Sequence, residues 1–416
     1  MTNRGMSTVF IVASLVIVGL IISSLGNPTI GGTSEITAIK LGEKYPVVDT
    51  SQDRCYDSDG KIINPDEEDS LFGQDAQHEG NQPRYEIFDD DVVIDVVTGL
   101  MWQRDPGEKI SFKDAIANAS KCKLLDFDDW RLPTIKELYS LIKFDGVTGI
   151  SEKDSIPYID TNYFVFHYGD SSKGERHIDS QYWSSTEYTS TTMGGNHTVF
   201  GVNFADGRIK GYPSIDPRGA IKLNYVLYVR GNTDYGKNEF VDNGDGTITD
   251  SATNLMWTRD DSKKGMNWEE ALKWTQKMND EEYLGYDDWR IPNAKELESI
   301  VDYSRSPDAT NSAAINPIFN TTKDGDNYPY FWSSTSHLDG PKDMQGNHAC
   351  YIAFGEARGW MEDPRTHKKM LMDVHGAGAQ RSDPKSGDPG KFPYGRGPQG
   401  DVIKIYNFVR LVRDAD

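Results

Sequence analysis

The sequence predicts an α+β chain of two tandem modules, each carrying two helices on a mostly antiparallel sheet. Three observations predict it: blocks recur in the same order in two halves, capped helices follow strand–turn–strand stretches in both, and short apolar strands broken by turn residues fill the rest. FDDWRLPTIKELYSLI (Phe127–Ile142) and YDDWRIPNAKELESIV (Tyr286–Val301) agree at nine of sixteen positions. TGLMWQRD (Thr98–Asp105) matches TNLMWTRD (Thr253–Asp260), YWSSTEY (Tyr182–Tyr188) matches FWSSTSH (Phe331–His337), and NYVLYVRG (Asn224–Gly231) matches NFVRLVRD (Asn407–Asp414). Copies of this length are domain-sized, so the chain is a tandem duplication and not a solenoid.

Composition agrees. A chain of 416 residues has room for two or three domains. Nine Trp and 21 Tyr exclude a disordered polymer. The net charge of −21 repels phosphate, so no nucleic-acid partner is expected. Three cysteines cannot build a disulfide framework.

Taken in order, residues 1–26 read as a signal peptide or an N-terminal membrane anchor. Arg4 precedes an apolar run from Val9 to Ile22, followed by Ser23, Ser24, Leu25 and Gly26. The run is short for a full span, so an uncleaved segment would be a tilted anchor. Either outcome puts the rest outside the cytoplasm (periplasm, cell surface or secreted), with the membrane touched only through this segment. Residues 27–87 form a polar lead segment, expected to lie on the first module.

The first module covers 88–231 and the second 240–416. Each opens with two strands and a turn, VVIDVVTGLMW and GTITDSATNLMW. A helix follows, opened by Ser111 with Asp114 or Asn267 with Glu270. Ala115, Ile116 and Ala119 supply its buried stripe in the first copy; Ala271, Leu272 and Thr275 do so in the second. The next helix opens on a capping box, Thr134 with Glu137 and Asn293 with Glu296, each behind a proline. Leu138, Leu141 and Ile142, like Leu297, Ile300 and Val301, face the core. Short strands and loops complete each copy, and the first and last strands of a copy are candidates to pair. Residues 361–404 have no counterpart in the first copy. From Asp363 to Gly400 they carry seven Lys/Arg against four Asp and much Gly and Pro, so a long unpacked loop is expected.

Few residues suggest chemistry. Trp130–Arg131 and Trp289–Arg290 offer a stacking platform with a polar clamp, but their position beside a helix cap favours a structural role, with each Arg paired to Glu137 or Glu296. Trp102 and Trp257 belong to the same frame. Trp183-Ser184-Ser185-Thr186 and Trp332-Ser333-Ser334-Thr335 are candidate ligand contacts, because hydroxyls after an aromatic suit a polar ligand; they also suit loop backbone groups. No His–Asp pattern marks either serine as a nucleophile, so no catalytic residue is assigned. Asp242, Asn243, Asp245 and Asp250 surround GDG, but Gly244 and Gly246 fall where a calcium loop needs oxygen ligands, and a tight turn fits better. His197 and His348, one per copy, make a weak metal site. No metal or cofactor is expected. Lys368, Lys369, Arg381 and Arg396 of the insertion are candidate ligand contacts.

Together these blocks resemble the Lcl C-terminal domain family, a bacterial domain of unknown function named after a collagen-like adhesin. The resemblance covers nearly the whole exported chain in two copies. It implies a C-type-lectin-like fold, secretion, and adhesion or surface binding, with no catalytic residue. Relatives often carry a Cys in the first helix and another in the last strand; Cys122 fits the first position, but Tyr228 stands in the second, so that disulfide is not carried over. Cys55 with Cys122 is an alternative pair, and Cys350 in its apolar strand reads as a buried thiol. The function expected is therefore a non-enzymatic exported binding or adhesion protein for a glycan or cell-surface protein. Two rivals remain: a metal-dependent oxidase like the formylglycine-generating enzyme, and a structural envelope component.

Overall fold

The computed structural model describes residues 45–215, 219–363 and 366–415. The segment at 1–26 expected to be a signal peptide or anchor, and the lead up to residue 44, lie outside the described residues. All described residues belong to one compact unit.

Each module is founded on a four-stranded antiparallel sheet. In the first, the spatial order is Val229–Gly231, Leu100–Gln103, Val92–Asp95, Tyr85–Asp89. In the second it is Val412–Asp414, Leu255–Thr258, Thr247–Asp250, Phe240–Asp242. The last strand of each module thus pairs with the second arm of the opening hairpin, Val229 opposite Trp102 and Val412 opposite Trp257, and not with its first arm. The hairpin turns are fixed by buried aspartates. Asp95 Oδ1 accepts from Val97 and Thr98 N–H, and Asp250 Oδ1 accepts from Ala252 and Glu239 N–H.

Two helices follow in each copy: α1 (Phe112–Ala119) and α2 (Ile135–Ser140), then α3 (Trp268–Asp280) and α4 (Ala294–Ser299). A short α5 (Pro307–Thr310) is confined to the second copy. The capping boxes form at α2 and α4: Thr134 and Asn293 accept from the backbone, while Glu137 and Glu296 reach back. In α1, Phe112 and Ala115 are buried, but Ile116 is 51% exposed, so the apolar stripe there is narrower than its sequence spacing indicates.

The latter halves of the modules meet in one six-stranded antiparallel sheet. Its order is Tyr330–His337, His348–Ala353, Gln380–Pro384, Arg208–Pro213, Asn196–Asn203, Gln181–Thr192, three strands from each copy, joined where Gln380 faces Ile209. The helices α2 and α4 also touch across this seam. There each helix sends a lysine to the other's last turn. Lys136 Nζ donates to Ser299 O at 2.6 Å, and Lys295 Nζ donates to Ser140 O at 2.9 Å. These carbonyls have no partner within their own helix, so the exchange satisfies both ends with a favourably placed cation.

The structure corrects two sequence expectations. The insertion is not an unpacked loop. It forms a hairpin, Arg358–Glu362 with Lys369–Asp373, and then contributes Gln380–Pro384 to the seam itself. The run looked loop-like because Gly376 and Gly378 carry positive φ between the hairpin and that strand. The lead segment lies on the first module only in part: Thr50 and Gln52 bond to Phe144, and Tyr85–Asp89 joins that module's sheet. Its residues 50–78 pack mainly on the second: Ser70 donates to Glu269, Gln276 donates to Asp69 O and Phe72 O, and Thr335 donates to Asp75. The acids that made it look solvated stand beside Thr50, Leu71, Phe72 and Asp75, which are the parts it buries or seats.

Candidate functional site

The tryptophan blocks form the frame. Trp102, Trp130, Trp183, Trp257, Trp289 and Trp332 are all buried. Trp130 Nε1 donates to Leu124 O and Trp289 Nε1 to Tyr283 O, each beside a leucine held at positive φ (Leu125, Leu284). Arg131 pairs with Glu137, and Arg290 pairs bidentately with Glu296 at 2.6 and 2.8 Å. In the first copy burial raises the Glu137 carboxyl, opposed by Arg131 and Thr134.

The Trp-Ser-Ser-Thr blocks sit on a β-bulge in each copy, where the pairing register slips after Trp183 and after Trp332. The bulge breaks the ladder locally and turns the Ser184 and Ser333 hydroxyls onto carbonyls of the neighbouring strand. Ser184 donates to Phe200 O and Ser333 to Cys350 O. Thr186 Oγ1 accepts from Ile135 N–H, and Thr335 Oγ1 from Ala294 N–H, so each strand helps to cap the preceding helix of its own module, α2 or α4. Trp183, Ser184, Trp332, Ser333, Ser334 and Thr335 are buried, which puts them out of reach of a solute; Ser185 is exposed and Thr186 half-buried.

A cavity of about 430 Å³ lies at the second copy's cap against Arg290, Asn293 and Glu296. Three further open surfaces concern the candidate residues. The first is a cavity of about 490 Å³ between the lead segment and α3, lined by amides (Gln74, Gln77, Gln276, Asn279, Asn293), acids (Asp75, Asp287, Asp288, Glu296) and Arg290. Burial pushes the Asp75 carboxyl up to about 7, against the hydrogen bonds from Thr335 and Thr50 that pull it down. The second is a cavity of about 390 Å³ at the first copy's cap, lined by Arg131, Thr134, Lys136, Thr186 and the linker 233–238. The third is the outer face of the insertion. Lys369 Nζ stands 4.5 Å from the Tyr394 ring centre and the Arg396 guanidinium 4.2 Å from that of Phe392, while Trp360 meets Tyr394 edge-on at 5.6 Å. Lys368, Lys369, Met370, Leu371, Tyr394 and Arg396 are exposed there. Arg381 is separate from this group: it faces the seam, ion-paired to Asp401.

Glycines 244 and 246 hold positive φ in a tight turn, where Asp242 and Asp245 accept from backbone N–H groups two residues on. Asp242 also pairs with Arg259. His197 bonds to Glu187 and His348 to Asn347. Among the described residues no three His, Cys, Asp or Glu side chains gather as a metal would require. All three cysteines are free, so the Cys55–Cys122 pair does not form. Burial raises the Cys55 thiol to about 11 and raises Cys350 as well.

Sequence reasoning missed Lys136, Lys295, Gln52 and Asp75. The lysines carried a signal, since the KEL triplet is identical in both copies. Gln52 and Asp75 carried none, because the lead segment occurs once.

The Lcl C-terminal domain model matches residues 91–230 and again 246–373. The second match stops at the end of the insertion hairpin, although Gln380–Pro384 and Val412–Asp414 complete that module. No curated protein and no solved structure matches the chain. No described helix is long and apolar enough to cross a membrane. With both modules matched across most of the chain, the protein belongs to the Lcl C-terminal domain family, in two tandem copies.

Proposed function

We propose that the protein is an exported, non-enzymatic binding protein of two C-type-lectin-like modules, which engages a glycan or a cell-surface protein. Export is read from the N-terminal segment at 1–26. The observation that carries the binding reading is the insertion surface, where exposed Lys369 and Arg396 stand against the Tyr394 and Phe392 rings. An exposed ring suits the face of a sugar, and a neighbouring cation suits its acidic substituents or an acidic peptide. In a chain of net charge −21 this patch is where a negatively charged partner meets local positive charge.

Removing the whole insertion would also remove Gln380–Pro384 from the central sheet, so point substitutions are the test. A glycan array and an envelope pull-down with the full chain should give signal that Lys369→Glu with Arg396→Glu lowers about tenfold. No signal on any ligand, or signal indifferent to the pair, contradicts the reading. The oxidase alternative needs a cysteine pair or a His-rich iron site; stoichiometric copper or iron on elemental analysis would favour it instead.

A further inference from the structure

The same strand is covered by the lead segment in one module and left uncovered in the other. In the second module the strand Tyr330–His337 is buried along its whole length. The lead segment covers it. Gln52 bonds through its amide to both Ser336 N–H and Ser336 O, at 2.8 Å each. Asp75 Oδ2 accepts from Thr335 Oγ1 at 2.5 Å and from Thr50 Oγ1 at 2.8 Å. The duplicate strand in the first module, Gln181–Thr192, leaves Ser185 and Glu187 exposed. Thr186 takes the same Oγ1 contact with its helix as Thr335 does. Among the described residues, however, nothing accepts the Thr186 hydroxyl proton. Beside it lies the 390 Å³ cavity, lined by Arg131, Thr134 and Glu137, the equivalents of the Arg290, Asn293 and Glu296 that face Gln74–His78 in the second module.

We propose that this open groove is a docking site for an extended peptide segment of a partner protein that presents an aspartate or glutamate to Thr186. The filled copy supplies the argument. The same strand, the same bulge and the same capping threonine already hold a polypeptide through one carboxyl. Charge agrees: Arg131, Lys136 and Lys237 outnumber Glu137 and Asp302 around the open groove, whereas acids dominate around its filled duplicate. The site is distinct from the insertion surface and does not depend on it.

The test uses the chain's own lead segment as probe. A fluorescent peptide with the sequence of residues 70–80 is titrated into the full-length protein and followed by anisotropy. The expected result is saturable binding that weakens about tenfold when Asp75 of the peptide becomes Ala, and equally when Thr233→Trp fills the groove from the exposed linker. A photoreactive group at the peptide's Phe72 position should then crosslink to residues 131–137, 184–187 or 233–238. No saturable rise up to about 1 mM, or binding indifferent to Thr233→Trp, overturns the proposal. So do crosslinks confined to 269–296, which would mean that the peptide displaces the tethered segment instead.

Discussion

Two strands built on the same Trp-Ser-Ser-Thr block have opposite fates here. Tyr330–His337 is buried throughout, while Gln181–Thr192 alternates between buried and exposed along its second half. The shared block itself differs, Ser334 and Thr335 being buried against exposed Ser185 and half-buried Thr186, so the surrounding chain contributes. Only the second module has a lead segment lying over its cap; the inserted hairpin reaches both modules, with Asp373 accepting from Tyr188 and from Met193 N–H of the first. A duplicated unit can therefore keep its frame and change its surface, because flanking segments decide what is covered. The ion pairs next to the two caps follow this division only at the arginine: Arg290 is 13% exposed and Arg131 29%, while both carboxylates are buried, Glu296 at 8% and Glu137 at 2%.

The largest expected effect is at these caps. Arg290→Ala strands Glu296 and Arg131→Ala strands Glu137, which is buried at least as deeply, so each should cost about 3–5 kcal/mol in urea unfolding. A clearly smaller cost at Arg131 would mean that solvent reaches Glu137 in the first copy. The lysine exchange comes next. Lys295→Met leaves Ser140 O and Asp49 O without their donor, and Lys136→Met leaves Ser299 O and Gly236 O without theirs. Each should cost about 1–3 kcal/mol. The two losses should be comparable, since the exchange is reciprocal; a silent substitution at either lysine would break the symmetry of the seam.

A smaller effect concerns pH. The Asp75 carboxyl is raised to about 7 in the folded chain from an ordinary value of 3.8. The folded state therefore holds a proton that the unfolded state has lost. This contribution is full below the unfolded value and is lost as pH rises through about 7. Its slope is at most about 1.4 kcal/mol per pH unit. Corrected for the intrinsic rise of amide exchange with pH, protection in residues 50–78 should fall between about pH 4 and 7, and Asp75→Asn should flatten that dependence. An unchanged profile in the variant would assign the loosening to another group. The smallest effect is at α1, where exposed Ile116→Ser should change stability by less than about 0.5 kcal/mol, while Leu272→Ala in the longer α3 should cost about 2–5 kcal/mol.

Much of the frame was legible because it rests on local rules. The capping residues of α1 to α4 lie three positions from their partners, and the apolar stripe of α3 follows helical spacing. What could not be read depends on contacts far apart in the chain. Gln52 meets Ser336 and Asp75 meets Thr335 across more than 250 residues, with no periodicity to announce either. The strand Gln380–Pro384 has turn-like composition and becomes a strand because its neighbours offer open edges on both sides. The candidate site suffered likewise. Hydroxyls after a tryptophan look available in one dimension, and a bulge turns them inward. Lys369 and Arg396 were found from local charge, but the rings that accompany them became visible only once the hairpin had formed.

The comparison is tested most directly by hydrogen exchange of the full chain beside a chain lacking residues 50–80. In the intact protein the amides of Ser334, Thr335 and Ser336 should exchange slowly, and that of Glu187 much faster. Removing the lead segment should bring the second module's strand to the rate of the first. Equal protection of both strands in the intact protein, or no change on removal, would contradict the account.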